Sequence, residues 1–198
     1  KAGDPVENLS KALRVAHSVG ARTLRCFLGS SEDRFHPNGI EYHMEATVRV
    51  FRGAKTVAEE TGVRIALENH SGDMQAWELK TLIEEAGKGY VGACTDAGNP
   101  IWCVEDPQVT LEVLGPLTVT THFRDTAIFP HPRGCAAHWT RLGDGSIDLK
   151  ALAATQKRLA PGACLHLELI TGRPPRIIPF YEESFWKVSP KARASEFA

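Results

Sequence analysis

The chain has 198 residues and a formal net charge of −1, with 42% hydrophobic and 24% charged residues. That balance belongs to a globular domain with a sizeable core rather than a disordered chain, and argues against a broad nucleic-acid or membrane-surface footprint. No apolar run approaches the ~20 residues of a membrane span, and the opening KAGDPVENLS lacks the apolar segment of a signal peptide. Cys26, Cys94, Cys103, Cys135 and Cys164 are odd in number, widely spaced and without a CxxC. They read as reduced thiols in a cytoplasmic protein, with Cys94 and Cys164 buried in strands.

In chain order, Asp4-Pro5 reads as a helix N-cap followed by a first-turn proline, and Val6, Leu9, Leu13 and Ala16 follow at helical spacing up to Gly20. ARTLRCFLG (21–29) is the first expected strand. A polar loop then leads to a helix near 41–61, with Ala46, Val50, Ala54, Val57 and Ala58 on one face. VRIALE (63–68) is the second strand, a helix near 75–87 follows, and YVGACTD (90–96) is the third. A short helix near 107–114, the strand LTVTTHF (117–123), a long loop and a helix near 148–159 come next. CLHLELI (164–170) is the fifth strand, followed by the Pro-rich loop 171–180 and a last helix near 181–188. Strand and helix in alternation, with such connections, give one domain over 1–198 built of βα units around a parallel sheet.

Four of these strands end in a residue that can bind a cation: Glu68 in ALENH, Asp96 in CTDAGN, His122 in THFRD and Glu168 in HLELI. In parallel α/β folds functional groups gather at the carboxyl ends of the strands. A carboxylate at the end of an apolar strand is costly to desolvate unless a cation or donor compensates. Three carboxylates and one imidazole suit one hard divalent ion, Mn²⁺ or Mg²⁺ first, with Zn²⁺ or Co²⁺ also compatible. Singly, each acid also fits an N-cap or an ion-pair partner; the recurrence carries the argument.

ALENHSGD, CTDAGN, THFRD, RLGDGSIDL and HLELI, in this order over roughly residues 60–170, resemble the xylose isomerase-like TIM-barrel superfamily of sugar-phosphate isomerases and epimerases. The resemblance implies a (β/α)₈ barrel with one divalent metal on Glu68, Asp96, His122 and Glu168. It implies too that Glu68 and Glu168 form the acid/base pair of an isomerase or epimerase working through an enediolate, with the metal as Lewis acid. Arg124 and Asp125 fill positions where relatives carry a base and an acid, so with His70 they are candidate substrate contacts. Asn69 and Asn99 are expected to shape their loops, Gly143 and Gly145 to allow unusual backbone angles, Asp148 to start a helix, and His166 to pack in the barrel core. The expected partner is a sugar or keto acid, with no nucleic acid and no membrane; a homo-oligomer is compatible with the sequence.

Two features depart from the family. A barrel typically needs about 250 residues, and only about five βα units are legible here, so the expected fold is a barrel without its first three strands. Asn99 stands where ketose 3-epimerases and endonuclease IV tend to carry a histidine, and Ala136 breaks the Asp-x-His pair of the nuclease. The alternatives are a keto-polyol dehydratase of the inosose or dehydroshikimate type, a noncatalytic ligand-binding barrel and, least favoured, a DNA-repair enzyme.

Overall fold

The computed structural model describes residues 3–170, 172–189 and 191–192. Helix α1 (Pro5–Ser18) opens on Asp4, whose carboxylate accepts the Glu7 N–H at 2.9 Å. Strand β1 (Thr23–Phe27) leads through a 3₁₀ turn to α2 (Gly39–Thr61), which stops at Gly62 in the left-handed region. Next come β2 (Arg64–Glu68), α3 (Ala76–Ala86), β3 (Val91–Asp96), α4 (Pro107–Leu114) and β4 (Thr118–Phe123). The chain then forms a hairpin of β5 (Asp125–His131) and β6 (Gly134–Thr140). It continues through α5 (Leu149–Leu159), β7 (Cys164–Leu167), β8 (Arg176–Ile178) and α6 (Glu183–Lys187).

Strands β1, β2, β3, β4 and β7 pair in that order, all parallel, in one five-stranded sheet. The sheet curls into half of a (β/α)₈ barrel. Its convex face carries the core: Ile65, Leu67, Val91 and Ala93 meet Leu13 of α1, Phe51, Ala54 and Ala58 of α2, and Leu79, Leu82 and Ile83 of α3. The buried stripe of α2 runs through Val48, Phe51, Ala54 and Ala58, so Val50 and Val57 lie at its margin rather than at its centre.

Strand alternation fixes the opposite face. With Leu24 and Cys26 packed toward the helices, Arg25 faces the barrel interior, as do Glu68, Asp96 and His122 at the ends of their strands. Strands β1 and β7 are the two edges of the arc, and Leu165, Leu167 and Leu169 are exposed at the β7 edge. Cys164 and His166 lie on the same edge and are exposed as well, which corrects the expectation that both are buried. Alternation tells which face a residue takes, not whether a further strand covers it. All five cysteines are free; burial pushes the Cys26 thiol up to about 12 and raises that of Cys94 further, which leaves both inert.

The segment expected to be a long loop after β4 instead forms β5 and β6, and the Pro-rich loop 171–180 contributes β8, giving an antiparallel sheet in the order β5-β6-β8. Its hairpin turns at Pro132-Arg133, and Gly134 (φ 146°) closes it where a Cβ would strike the Ile178 carbonyl. Pro130 is tolerated because β5 is an edge strand. The sheet stands beside the carboxyl ends of the barrel strands, with Trp139 of β6 edge-on to Trp102 at 5.9 Å between ring centres. No helix among the described residues is long and apolar enough to cross a membrane.

Candidate metal centre

The parallel ladder puts the strand ends side by side: Asp96 pairs with His122, and Glu68 with Cys94. The Glu168 N–H donates to the Phe123 carbonyl at 3.1 Å, which extends the β4–β7 pairing by one residue and seats Glu168 next in the row. Asn69 ties β2 to β3 by mimicking a backbone pair, its amide donating to the Asp96 carbonyl (3.0 Å) and accepting the Asp96 N–H (2.8 Å). Registered in this way, Glu68, Asp96, His122 and Glu168 each offer one ligand atom, all within 4.8 Å of one another.

Glu68 is fully buried and held by three partners. Arg25 Nε donates to its Oε2 at 2.5 Å, His122 Nδ1 lies 3.2 Å from Oε1, and Asn99 Nδ2 donates to Oε1 at 3.3 Å. Burial alone would raise the Glu68 carboxyl, but His122 and Arg25 outweigh it and hold the group below its usual value, so it is ionised. Asp96 is fully buried too; burial pushes it up to about 6 against the opposing pull of Arg124 and the N–H groups of Asn99 and Gly98. Glu168 is partly exposed, and its Oε2 lies 3.4 Å from His122 Nδ1.

Arg124 spans the cluster. Its Nη2 lies 2.6 Å from Asp96 Oδ2 and also touches Glu168 Oε2. These are charge contacts without hydrogen-bond alignment: Asp96 Oδ2 and Glu168 Oε2 are both buried with no hydrogen-bond partner. Arg124 sets one positive charge against these oxygens, and a set of three carboxylates and one imidazole is a ligand chemistry that a divalent ion fits.

The other candidate residues sit as follows. His70 turns toward the loop after β1, with Nδ1 2.6 Å from the Gly29 carbonyl and its ring stacked on Phe27 at 4.1 Å. Asp125 is buried and points away from the cluster into the loop before α5. Its Oδ2 accepts the N–H groups of Gly143 (2.9 Å) and Gly145 (3.0 Å), and its Oδ1 those of Thr126 (2.8 Å) and Ile147 (3.4 Å). Gly145 must be glycine, since a Cβ there would collide with that carboxylate. Asp148 caps α5 through the N–H groups of Lys150 and Ala151.

Two contributors carry no obvious mark in the sequence. Arg25 shows only as a cation alternating with apolar residues in a strand, a pattern shared by any solvent-facing strand position. Asn99 does more than shape its loop: besides reaching Glu68, it accepts the Trp102 indole N–H at 3.1 Å.

The family model described as xylose isomerase-like TIM barrel matches residues 2–183. The chain belongs to this family. No curated protein matches it, but solved structures share its fold. A xylose isomerase domain protein from Planctomyces limnophilus is 21% identical with a TM-score of 0.66, over 82% of this chain and 58% of that one. The IolI protein with a bound zinc atom is 17% identical, with a TM-score of 0.66, over 92% of this chain and 62% of that one. A family member from Mycobacterium smegmatis in complex with magnesium is 14% identical, with a TM-score of 0.64, over 98% of this chain and 68% of that one. The chain thus spans 58% and 62% of the length of the first two. At these identities the likeness is one of fold, and it is a fold used by sugar isomerase- and epimerase-like proteins.

Proposed function

We propose that the chain carries the metal and acid/base half of a divalent-metal-dependent sugar isomerase or epimerase. The observation that carries this reading is the convergence of four ligand atoms within 4.8 Å at the carboxyl ends of adjacent barrel strands. Glu68, Asp96, His122 and Glu168 would hold the ion, and with three carboxylates among four ligands Mn²⁺ or Mg²⁺ suits it best. The zinc and magnesium in two proteins of this fold support a cation at such a site without choosing between metals. Bound there, the ion would supply Lewis-acid stabilisation of negative charge developing on the substrate's oxygens.

The chain's own residues divide the remaining work. Glu68, kept ionised by Arg25 and His122, is placed to take a proton from carbon. Glu168, more exposed and across the cluster, is placed to hand one back; return to the opposite face of the same carbon inverts it, and return to the neighbouring carbon exchanges ketose for aldose. His122, fixed between both glutamates, orients them. Arg124 and His70 are the candidates for substrate hydroxyls, and Asp125 would serve by holding the loop behind Arg124 in shape.

Solvent-isotope exchange tests this reading. In D₂O with Mn²⁺ and a panel of ketoses, the wild-type protein should place deuterium at one carbon of a converted or recovered substrate, and Glu68→Gln and Glu168→Gln should abolish it. Absence of exchange with every ketose, or exchange undiminished in both variants, overturns the proposal. A dehydratase on the same site would instead yield an enone absorbing in the ultraviolet, and a protein described as the probable 3-DHS dehydratase AsbF from Bacillus anthracis is among those sharing the fold.

A further inference from the structure

A cavity of about 420 Å³ opens beside the cluster. Two indoles, Trp102 and Trp139, meet edge to face in its wall, and Pro174, Pro175, Arg173 and Arg176 line it further. No aspartate or glutamate is among its lining residues. Both indoles tie it to the proposed catalytic groups. Trp102 donates to Asn99, which donates to Glu68. Trp139 lies 5.1 Å beneath the guanidinium of Arg124, which touches Asp96 and Glu168.

Arg176 is held in place from three sides. Its backbone pairs with Ala137 in the β6–β8 ladder, its Nη2 donates to Ser31 Oγ at 2.8 Å, and its guanidinium lies 5.3 Å above the Trp102 ring. None of these partners neutralises it. The arginine ion pairs among the described residues engage Arg25, Arg34, Arg124, Arg133 and Arg158, among others, but neither Arg173 nor Arg176. The Trp139 indole N–H is buried and has no acceptor.

We infer that this cavity seats an oxyanion of the substrate, a carboxylate or a phosphate, on Arg173 and Arg176 against the Trp102–Trp139 corner, while the polyol end reaches the carboxylate–histidine cluster. The inference rests on the proposed function for which end reacts. Guanidinium groups form paired, charge-assisted hydrogen bonds with planar or tetrahedral oxyanions. A neutral sugar would leave both cations to water and gain little from them.

The test is calorimetric titration of the Mn²⁺-loaded chain with xylitol, xylonate and xylulose 5-phosphate, so that neutral, carboxylate and phosphate arms are read separately. At least one anion should bind about tenfold or more tighter than xylitol, and Arg173→Gln/Arg176→Gln should remove that preference while leaving xylitol binding unchanged. Both arginines are exposed, so the double variant should fold; Arg176→Lys should keep part of the preference. Equal binding of all three probes overturns the inference. So does an anion preference that survives the double substitution, because the anion would then sit on the metal or on Arg124. Binding is read apart from turnover, so absence of isotope exchange would not alter an anion preference, and a preference for neutral ligands would leave exchange standing.

Discussion

Asp125 follows Arg124 directly, and its removal separates a loop-building role from a substrate-binding one. Asp125→Ala takes the acceptor away from the N–H groups of Thr126, Gly143, Gly145 and Ile147 at once. A buried donor left without an acceptor costs about 1–3 kcal/mol. The Thr126 N–H is buried and bears that cost in full, whereas the three in the loop are partly exposed and recover some hydration. The expected loss is therefore about 3–5 kcal/mol, which lowers the thermal midpoint by about 6–20 °C for a domain of this size. Asp125→Asn keeps one carbonyl oxygen and should lose roughly half as much. Thermal unfolding followed by circular dichroism reads both. An Asp125→Ala protein within about 1 kcal/mol of wild type, yet impaired in substrate binding, would refute the loop assignment and return Asp125 to the substrate.

Gly145→Ala should reproduce much of that loss from the other side, because the new methyl displaces the Asp125 carboxylate; a midpoint unchanged in the same melt would show that the loop gives way freely. Arg34→Met strands Glu78, since the two side chains are only 6% and 4% exposed and are joined by two hydrogen bonds at 2.8 and 2.9 Å. Breaking a buried pair on one side costs about 3–5 kcal/mol in urea unfolding. Adding Glu78→Gln, which removes the stranded charge, should restore part of the loss, and no recovery in the double variant would contradict the electrostatic explanation.

The barrel half of the fold was legible because each βα unit announces itself locally, through an apolar strand, a turn and a periodic helix. The cluster was legible because four strand ends repeat one chemical theme. The hairpin was not: Pro130 speaks against a strand in DTAIFPH, and β8 is a three-residue strand inside a proline-rich stretch. Arg25 and Glu68 are 43 residues apart, and only the β1–β2 register brings them together. Asp125 was hidden for another reason. Its partners are backbone N–H groups some 20 residues away, and backbone donors leave no side-chain pattern to read. The sequence puts His166 and Cys164 on strand β7, but their exposure is not legible in it, because strand alternation carries no information about a missing neighbour.

The central claim is that Glu68, Asp96, His122 and Glu168 share one cation, and metal stoichiometry tests it most directly. Equilibrium dialysis of the purified chain against Mn²⁺, followed by elemental analysis, should find one ion per chain at saturation. His122→Ala and Glu168→Gln should each weaken it by about tenfold or more, while Asp148→Asn, far from the cluster at the start of α5, should leave it intact. A protein that binds no divalent ion, or one whose affinity is indifferent to substitution at all four positions, would contradict the account.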